Sequence, residues 1–254
     1  MKVVTYNIRY ANSNDGLDKW ENRVDSVAEY LKVQDIAGLQ EVTYRQLLEL
    51  TKRLSDFNWY GVGRDDGKHS GEHAVIFFRK DRFEKLGEGT FWLSAEPGRV
   101  GLAGWDAALP RTCGWVKLRD RLTQRLFLVA NTHFDHRGSR SRKMSGELIA
   151  RRLPEFAKAL PVVLLGDFNC QPGSEPYVAM LKDSYFSDAR DVSTTELKGP
   201  RATWNGFRKI EAGREIDHIF VAGDFKVLQY ATEDPKTEAG RFSSDHLPIK
   251  VILE

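Results

Sequence analysis

The sequence predicts an α/β protein in which two β-sheets pack face to face beneath covering helices. Three observations predict it. Short β-rich apolar runs recur along the whole chain, several of them separated by stretches of helical spacing, a pattern that builds layered sheets with helices outside. The run Pro161–Leu165 is apolar without interruption, as in a strand buried on both faces. The 254 residues, 41% of them hydrophobic, suffice for one large core. No linker, low-complexity tract or composition shift divides them, so one domain spanning 1–254 is expected.

The elements follow in order. Val3–Ile8 is a short β-rich run. Asp18–Leu31 has helical spacing, with Val24, Val27, Ala28 and Leu31 as its apolar stripe. Asp35–Gln40 returns to a strand, and Thr43 is placed to N-cap a helix carrying Leu47, Leu48, Leu50 and Leu54. His73–Arg79, Thr112–Leu118 and Arg125–Thr132 read as strands. Arg140–Leu160 is a long helical stretch that Pro154 is expected to kink or split. After Pro161–Leu165 a short helix is expected from Ser174, and Ile216–Val221, Lys226–Tyr230 and Leu247–Leu253 complete the strands.

Composition narrows the function classes. No apolar run approaches a membrane span. The chain starts directly on a strand, which sets the expectation of a cytoplasmic protein, or of an exported one whose leader has been removed. Cys113 and Cys170 are too few for a disulfide framework and lack zinc-type neighbours. A net charge of +2 gives no global nucleic-acid signature. A local one exists in Arg137, Arg140, Arg142, Lys143, Arg151 and Arg152, read either as a solvated helix face or as a phosphate-facing rim.

The chemistry lies at the ends of the strands. Asn7 ends the first and Glu41 the second. Asn131-Thr132-His133 ends the run Leu126–Ala130, and Asp167 and Asn169 follow Val162–Leu165. Asp217-His218 and Asp245-His246 begin later strands. Where a sheet has antiparallel members, the end of one strand and the start of its neighbour share a rim, so these clusters converge on one edge. Carboxylates and amides without cysteine suit a hard, oxygen-loving cation such as Mg²⁺ or Mn²⁺. Beside a His–Asp pair, such a cation is apparatus for attack on a phosphoryl centre. Each cluster alone fits an ordinary turn, because Asp and Asn favour turns for their own reasons. The ordered set does not.

That set resembles the endonuclease/exonuclease/phosphatase superfamily across nearly the whole chain. The motifs are Thr5-Tyr6-Asn7-Ile8-Arg9, Leu39-Gln40-Glu41, Asn131-Thr132-His133-Phe134, Gly166-Asp167-Phe168-Asn169, Ile216-Asp217-His218-Ile219 and Ser244-Asp245-His246-Leu247-Pro248. The resemblance implies a four-layer α/β sandwich and a Mg²⁺- or Mn²⁺-dependent phosphoesterase. By position, Glu41 resembles the principal metal carboxylate. Asn7 resembles its neighbour at the metal, and Asp245 a further metal carboxylate. Asp167 and Asn169 resemble the pair that positions water and phosphate. His246 resembles the general base or phosphate-polarising imidazole, oriented by Asp217.

His133 is similar to the histidine of the deoxyribonuclease and deadenylase branches, where repair-type enzymes usually carry Tyr. In the deoxyribonuclease branch that histidine pairs with a Glu preceding a strand, and Gly71–Arg79 resembles that strand. The resemblance therefore implies a second dyad, Glu72–His133. Arg111 matches a phosphate-contacting position, with a plain surface ion pair as the alternative. Asn131 and Asn205 are carried over as substrate contacts. The segments around Trp92 and Trp105, with Thr132–His136 and the Arg-rich helix, resemble a bacterial subgroup near the nocturnin and deadenylase branch.

Three functions stay open on this reading. The first is a nuclease on DNA or RNA, with Trp20, Trp92, Trp105 and Trp204 as candidate base-stacking residues. The second is a phosphatase on a small-molecule or lipid-headgroup phosphate. The third is a binding module on a decayed enzyme fold, which the intact polar set argues against. A monomer is expected.

Overall fold

The computed structural model describes residues 1–254. Two six-stranded sheets form the centre. The first contains β1 (Lys2–Asn7), β2 (Ile36–Val42), β3 (Phe57–Tyr60), β4 (His73–Arg79), β11 (Val227–Thr232) and β12 (Ile249–Leu253), in the order β11-β12-β1-β2-β4-β3. The second contains β5 (Phe83–Trp92), β6 (Thr112–Asp120), β7 (Leu126–His133), β8 (Val162–Asp167), β9 (Ser187–Asp188) and β10 (Asp217–Ala222), in the order β5-β6-β7-β8-β10-β9. Helices α1 (Val24–Lys32) and α2 (Tyr44–Arg53) cover the first sheet, and α3 (Ser139–Ala157) and α4 (Glu175–Leu181) the second. This is the four-layer sandwich. No helix is long and apolar enough to cross a membrane.

The period-2 alternation of strands sorts side chains into three apolar layers. In β1, Val3 joins the core between the sheets, whereas Val4 and Tyr6 join the layer under α1 and α2. In β8, Val163 and Leu165 face the first sheet, and Val162 and Leu164 face α3. The sheets approach closely at Gly38, where a Cβ would lie 2.8 Å from the Leu165 side chain, so only glycine fits. Each sheet has one parallel pair at its centre, β1–β2 and β7–β8, flanked by antiparallel neighbours. The carboxyl ends of the parallel pairs and the amino ends of β4, β10 and β12 therefore meet on one rim.

Several elements depart from the sequence reading. The helix expected over Asp18–Leu31 begins only at Val24, after short 3-10 turns at Ser13–Asp18 and Trp20–Asn22. The buried Arg23 guanidinium causes this: it donates to the carbonyls of Asp18, Ile8 and Ser243, holding the segment in another path. Pro154 does not split α3. It sits in the last turn, which Lys158 N–H closes onto its carbonyl before Lys158 turns left-handed (φ 50°). The strands β3, β5 and β9 were not expected. Of these, β5 is an edge strand with only its ends buried and with Gly87 and Gly89 inside it, so its apolar alternation is weak. The capping box at Thr43 forms as the sequence implies, with Thr43 and Gln46 bonded reciprocally.

Candidate active site

Asn7, His133, Asp167 and Asp217 all have the parity that faces the other sheet, beyond the apolar residues on that face of their strands. The site is thus the place where the inter-sheet core gives way to polar groups. Glu41 reaches it differently. By alternation it would point towards the helices, but β2 is irregular between Leu39 and Val42, and Glu41 is left-handed (φ 62°). A bulge of this kind re-aims a side chain. Arg9 (φ 56°) and Asn169 (φ 48°) leave their strands in the same strained way, and such outliers cluster at functional sites.

His246 Nδ1 lies 2.8 Å from Asp217 Oδ2. Burial alone would lower the pKa of this imidazole, but the charges of Asp217 and Asp167 outweigh it and push it up to about 10. The ring is therefore a cation with its charge held from behind. Its Nε2 faces Asp167 Oδ2 at 3.8 Å. Asp167 is driven the other way, up to about 7, by burial and by the nearby Asp217 charge. Asn169 N–H donates to Asp167 Oδ1 at 2.9 Å, and Asn7 Nδ2 donates to Asp167 Oδ2 at 2.9 Å.

Asn7 Nδ2 also donates to Glu41 Oε1 at 3.1 Å, while its Oδ1 accepts from Arg9 N–H at 3.0 Å. The amide nitrogen faces the acids, so Asn7 orients Glu41 and Asp167, and its oxygen keeps a second lone pair beside them. Glu41 and Asp245 remain as hard oxygen donors. Burial and the Glu41 charge raise the Asp245 pKa, although His246, Arg9 and Arg23 oppose them, with Arg9 Nε 3.9 Å from Asp245 Oδ2. The oxygen donor set fits a divalent cation. Asp167, Asp217 and His246 also offer atoms within 4.8 Å of one another. Glu41 and Asp245 line the same cleft as Asp167 and His246 and add two further carboxylates.

His133 and Glu72 do not form the hydrogen-bonded dyad that was expected. Nδ1 and Oε2 are 4.0 Å apart, and Glu72 is instead bound to Arg64 at 2.7 Å. Burial, with Arg111 and Arg64 close by, holds the His133 pKa well below its ordinary value, so the ring is neutral. Asn169 Nδ2 points at His133 Nε2 from 3.2 Å, which places the ring proton on Nδ1.

Arg111 is no surface ion pair. It is 4% exposed, its Nε and Nη1 have no hydrogen-bond partner, and Asp135 lies 3.7 Å from its Nε. Two further expectations fail on the same grounds of hydrogen bonding. Asn131 is fully buried between the sheets, where it donates to the carbonyls of Leu39 and Val75 and accepts from Gln40, so nothing is left for a substrate. Asn205 is buried in a turn, donating to Ser244 O and accepting from Phe207 N–H. Both are structural ties.

These groups line a cleft of about 440 Å³, whose walls include Glu41, Arg111, His133, Asp167, Asp245 and His246. A sequence profile described as the Endonuclease/Exonuclease/phosphatase family matches residues 4–246. The chain belongs to that family. Its members are phosphoester hydrolases, and the phosphoesterase described here is similar to solved structures from two Bacteroides species. One is an endonuclease/exonuclease/phosphatase from Bacteroides vulgatus, 37% identical, covering 100% of this chain and 98% of that one with a TM-score of 0.94. The other is a mannosyl-6-phosphatase from Bacteroides thetaiotaomicron, 36% identical, covering 100% and 99% with a TM-score of 0.92. Nocturnin of Drosophila melanogaster is 24% identical over 91% of this chain, which spans only 41% of that protein.

The phosphoesterase also places in the cleft residues that the sequence reading did not assign to the site, namely Tyr10, Leu109, His136, Arg214 and Ile216. Beneath it, Thr203 Oγ1 accepts the backbone N–H of Asp217, and Arg64 backs Glu72. These arrive from loops, where no periodicity marks a side chain's direction.

Proposed function

We propose that this protein is a divalent-metal-dependent phosphatase that removes a phosphate monoester from a phosphorylated sugar. The observation that carries the phosphate assignment is Arg111, a buried guanidinium in the wall of the cleft with two nitrogens, Nε and Nη1, that lack a hydrogen-bond partner. An unpaired buried donor is costly, and an anion relieves that cost. The choice of monoester over polynucleotide rests on the 36% identical relative named as a mannosyl-6-phosphatase, which matches this chain end to end.

In this mechanism the phosphate lies between Arg111 and His246. Arg111 donates to one phosphoryl oxygen and the His246 imidazolium, through Nε2–H, to another. Asp167, with a pKa near neutrality, takes a proton from the attacking water. The water oxygen forms its bond to phosphorus as the bond to the sugar oxygen breaks, and the alcohol leaves with a proton from the medium. Glu41 and Asp245 would hold the divalent cation, which would supply neutralisation of charge developing on oxygen. Asn7 and Asn169 hold Asp167 in place, and neutral His133 borders the phosphate through its partner Asn169.

The test is a panel of mannose 6-phosphate, a phosphodiester, single-stranded DNA and poly(A) RNA with added Mg²⁺ or Mn²⁺, each with a chelator control. The expected result is hydrolysis of the sugar phosphate that is lost with chelator and in Glu41→Ala, and whose KM rises in Arg111→Met. Chelator-sensitive cleavage of polynucleotide alone would replace the phosphatase reading by the nuclease one.

A further inference from the structure

The catalytic cleft does not end at the phosphate. A second trough of about 470 Å³ continues from it, sharing His136, Asn169, Arg214 and Ile216 as common walls. Beyond these it is lined by Arg142, Gln171 and the segment Glu211–Gly213. The catalytic cleft alone has the volume of about 15 water molecules. One phosphorylated hexose, of about 16 non-hydrogen atoms, fits within the first compartment. The second compartment is equally large.

Its chemistry is selective. It contains no Phe, Tyr or Trp. Trp204 lines the first compartment, but the Arg214 guanidinium lies 3.7 Å from its ring centroid and covers one face. Nucleobases are held on aromatic faces, and the trough's one aromatic ring is His136, whose Nδ1 lies 3.2 Å from Arg111 Nη2. It offers planar, multidentate hydrogen-bonding groups instead. Arg142 donates one Nη1–H to Asp135 O, and its Nε is buried without a partner. Gln171 is exposed on the same wall, and Arg214, paired with Glu211, faces them. Such groups match the adjacent hydroxyls of a sugar ring.

We propose that this trough is the leaving-group subsite, and that Arg142, Gln171 and Arg214 bind a second sugar ring, making the substrate a phosphorylated oligosaccharide. The proposal rests on the sugar-phosphatase reading. It is tested by comparing kcat/KM for mannose 6-phosphate, for a mannobiose carrying the 6-phosphate on its non-reducing ring, and for a nucleoside 5′-monophosphate.

The mannobiose phosphate is expected to be preferred over mannose 6-phosphate by at least about tenfold, the return from one or two charge-assisted hydrogen bonds. That preference should fall towards unity in Arg142→Ala. It should also fall in Gly213→Asn, because a Cβ at Gly213 (φ 77°) meets nothing within 4 Å and Asn tolerates the left-handed backbone. The second variant fills the trough without removing Arg142, so it serves if the first does not fold. Equal kcat/KM for one and two rings would overturn the trough and leave the phosphatase standing. A preference unchanged in both folded variants, or a nucleotide preferred to the mannobiose phosphate, would also overturn it. Turnover of a diester with none of any sugar phosphate would overturn both readings.

Discussion

Replacing Asp217 by Asn should convert His246 from a cation to a neutral ring. The rise of the His246 pKa from 6.5 to about 10 corresponds to on the order of 5 kcal/mol in favour of imidazolium. Burial is the largest influence on this group, and it acts against the charge. Asp217, at 2.8 Å, is the largest influence in favour, through both its charge and its hydrogen bond. With Asp217→Asn the amide oxygen can still accept from Nδ1, so geometry survives while the charge is lost. Asp167, 3.8 Å away, and Asp245 still favour the cation, but burial is the largest influence on the ring and opposes them. The pKa should therefore fall below about 7, a change of three units or more.

The assay is ¹⁵N NMR of the imidazole in metal-free protein, so that no bound cation contributes. Wild-type His246 should stay protonated to about pH 8 and Asp217→Asn should be neutral there. Turnover with metal restored should drop by at least the ~10²-fold typical of a lost acid–base group. A wild-type ring that titrates near its ordinary value, or a variant ring still charged at about pH 8, would refute the charge balance argued for the site.

Two further outcomes follow from buried groups. Asn131→Ala removes the side-chain donor from two buried strand carbonyls, while Gln40 keeps Thr5 and Gly38 as acceptors; each orphaned group costs about 1–3 kcal/mol, so urea should unfold the variant at markedly lower concentration. Its folded fraction should retain near-normal kcat, and a large loss of kcat with unchanged stability would return Asn131 to the substrate. His218, buried with Nδ1 3.6 Å from Asp188, has its pKa raised because Asp188 outweighs the opposing effect of burial. Since the folded pKa exceeds the unfolded one, the charged pair stabilises fully below about pH 6.5 and less as pH rises through the folded value. The stability gap between wild type and His218→Gln, measured by urea at about pH 6 and about pH 9, should narrow with rising pH, and an unchanged gap would refute the pairing.

The sequence by itself determined the layers and the rim. Strand alternation is local, so Val3, Thr5 and Asn7 declare one face wherever the strand sits, and the polar residue after each apolar run marks where that face leaves the core. Asp167 and Asp217 follow the same rule, whereas alternation points Glu41 at the helices and only the bulge between Leu39 and Val42 turns it to the rim. Hydrogen-bond orientation was not legible. Asn7, Asn131 and Asn205 are one residue type, and only their neighbours decide which way each amide turns and whether any of it is left for a ligand. Glu72 was read as the partner of His133 because the strand it precedes resembles one in the deoxyribonuclease branch. The tertiary structure adds Arg64, whose guanidinium claims the carboxylate. The trough beyond the phosphate was equally invisible. Its walls come from the first turn of α3 at Arg142 and from loops around positions 171 and 213, which meet only when the strands that precede them close on one edge.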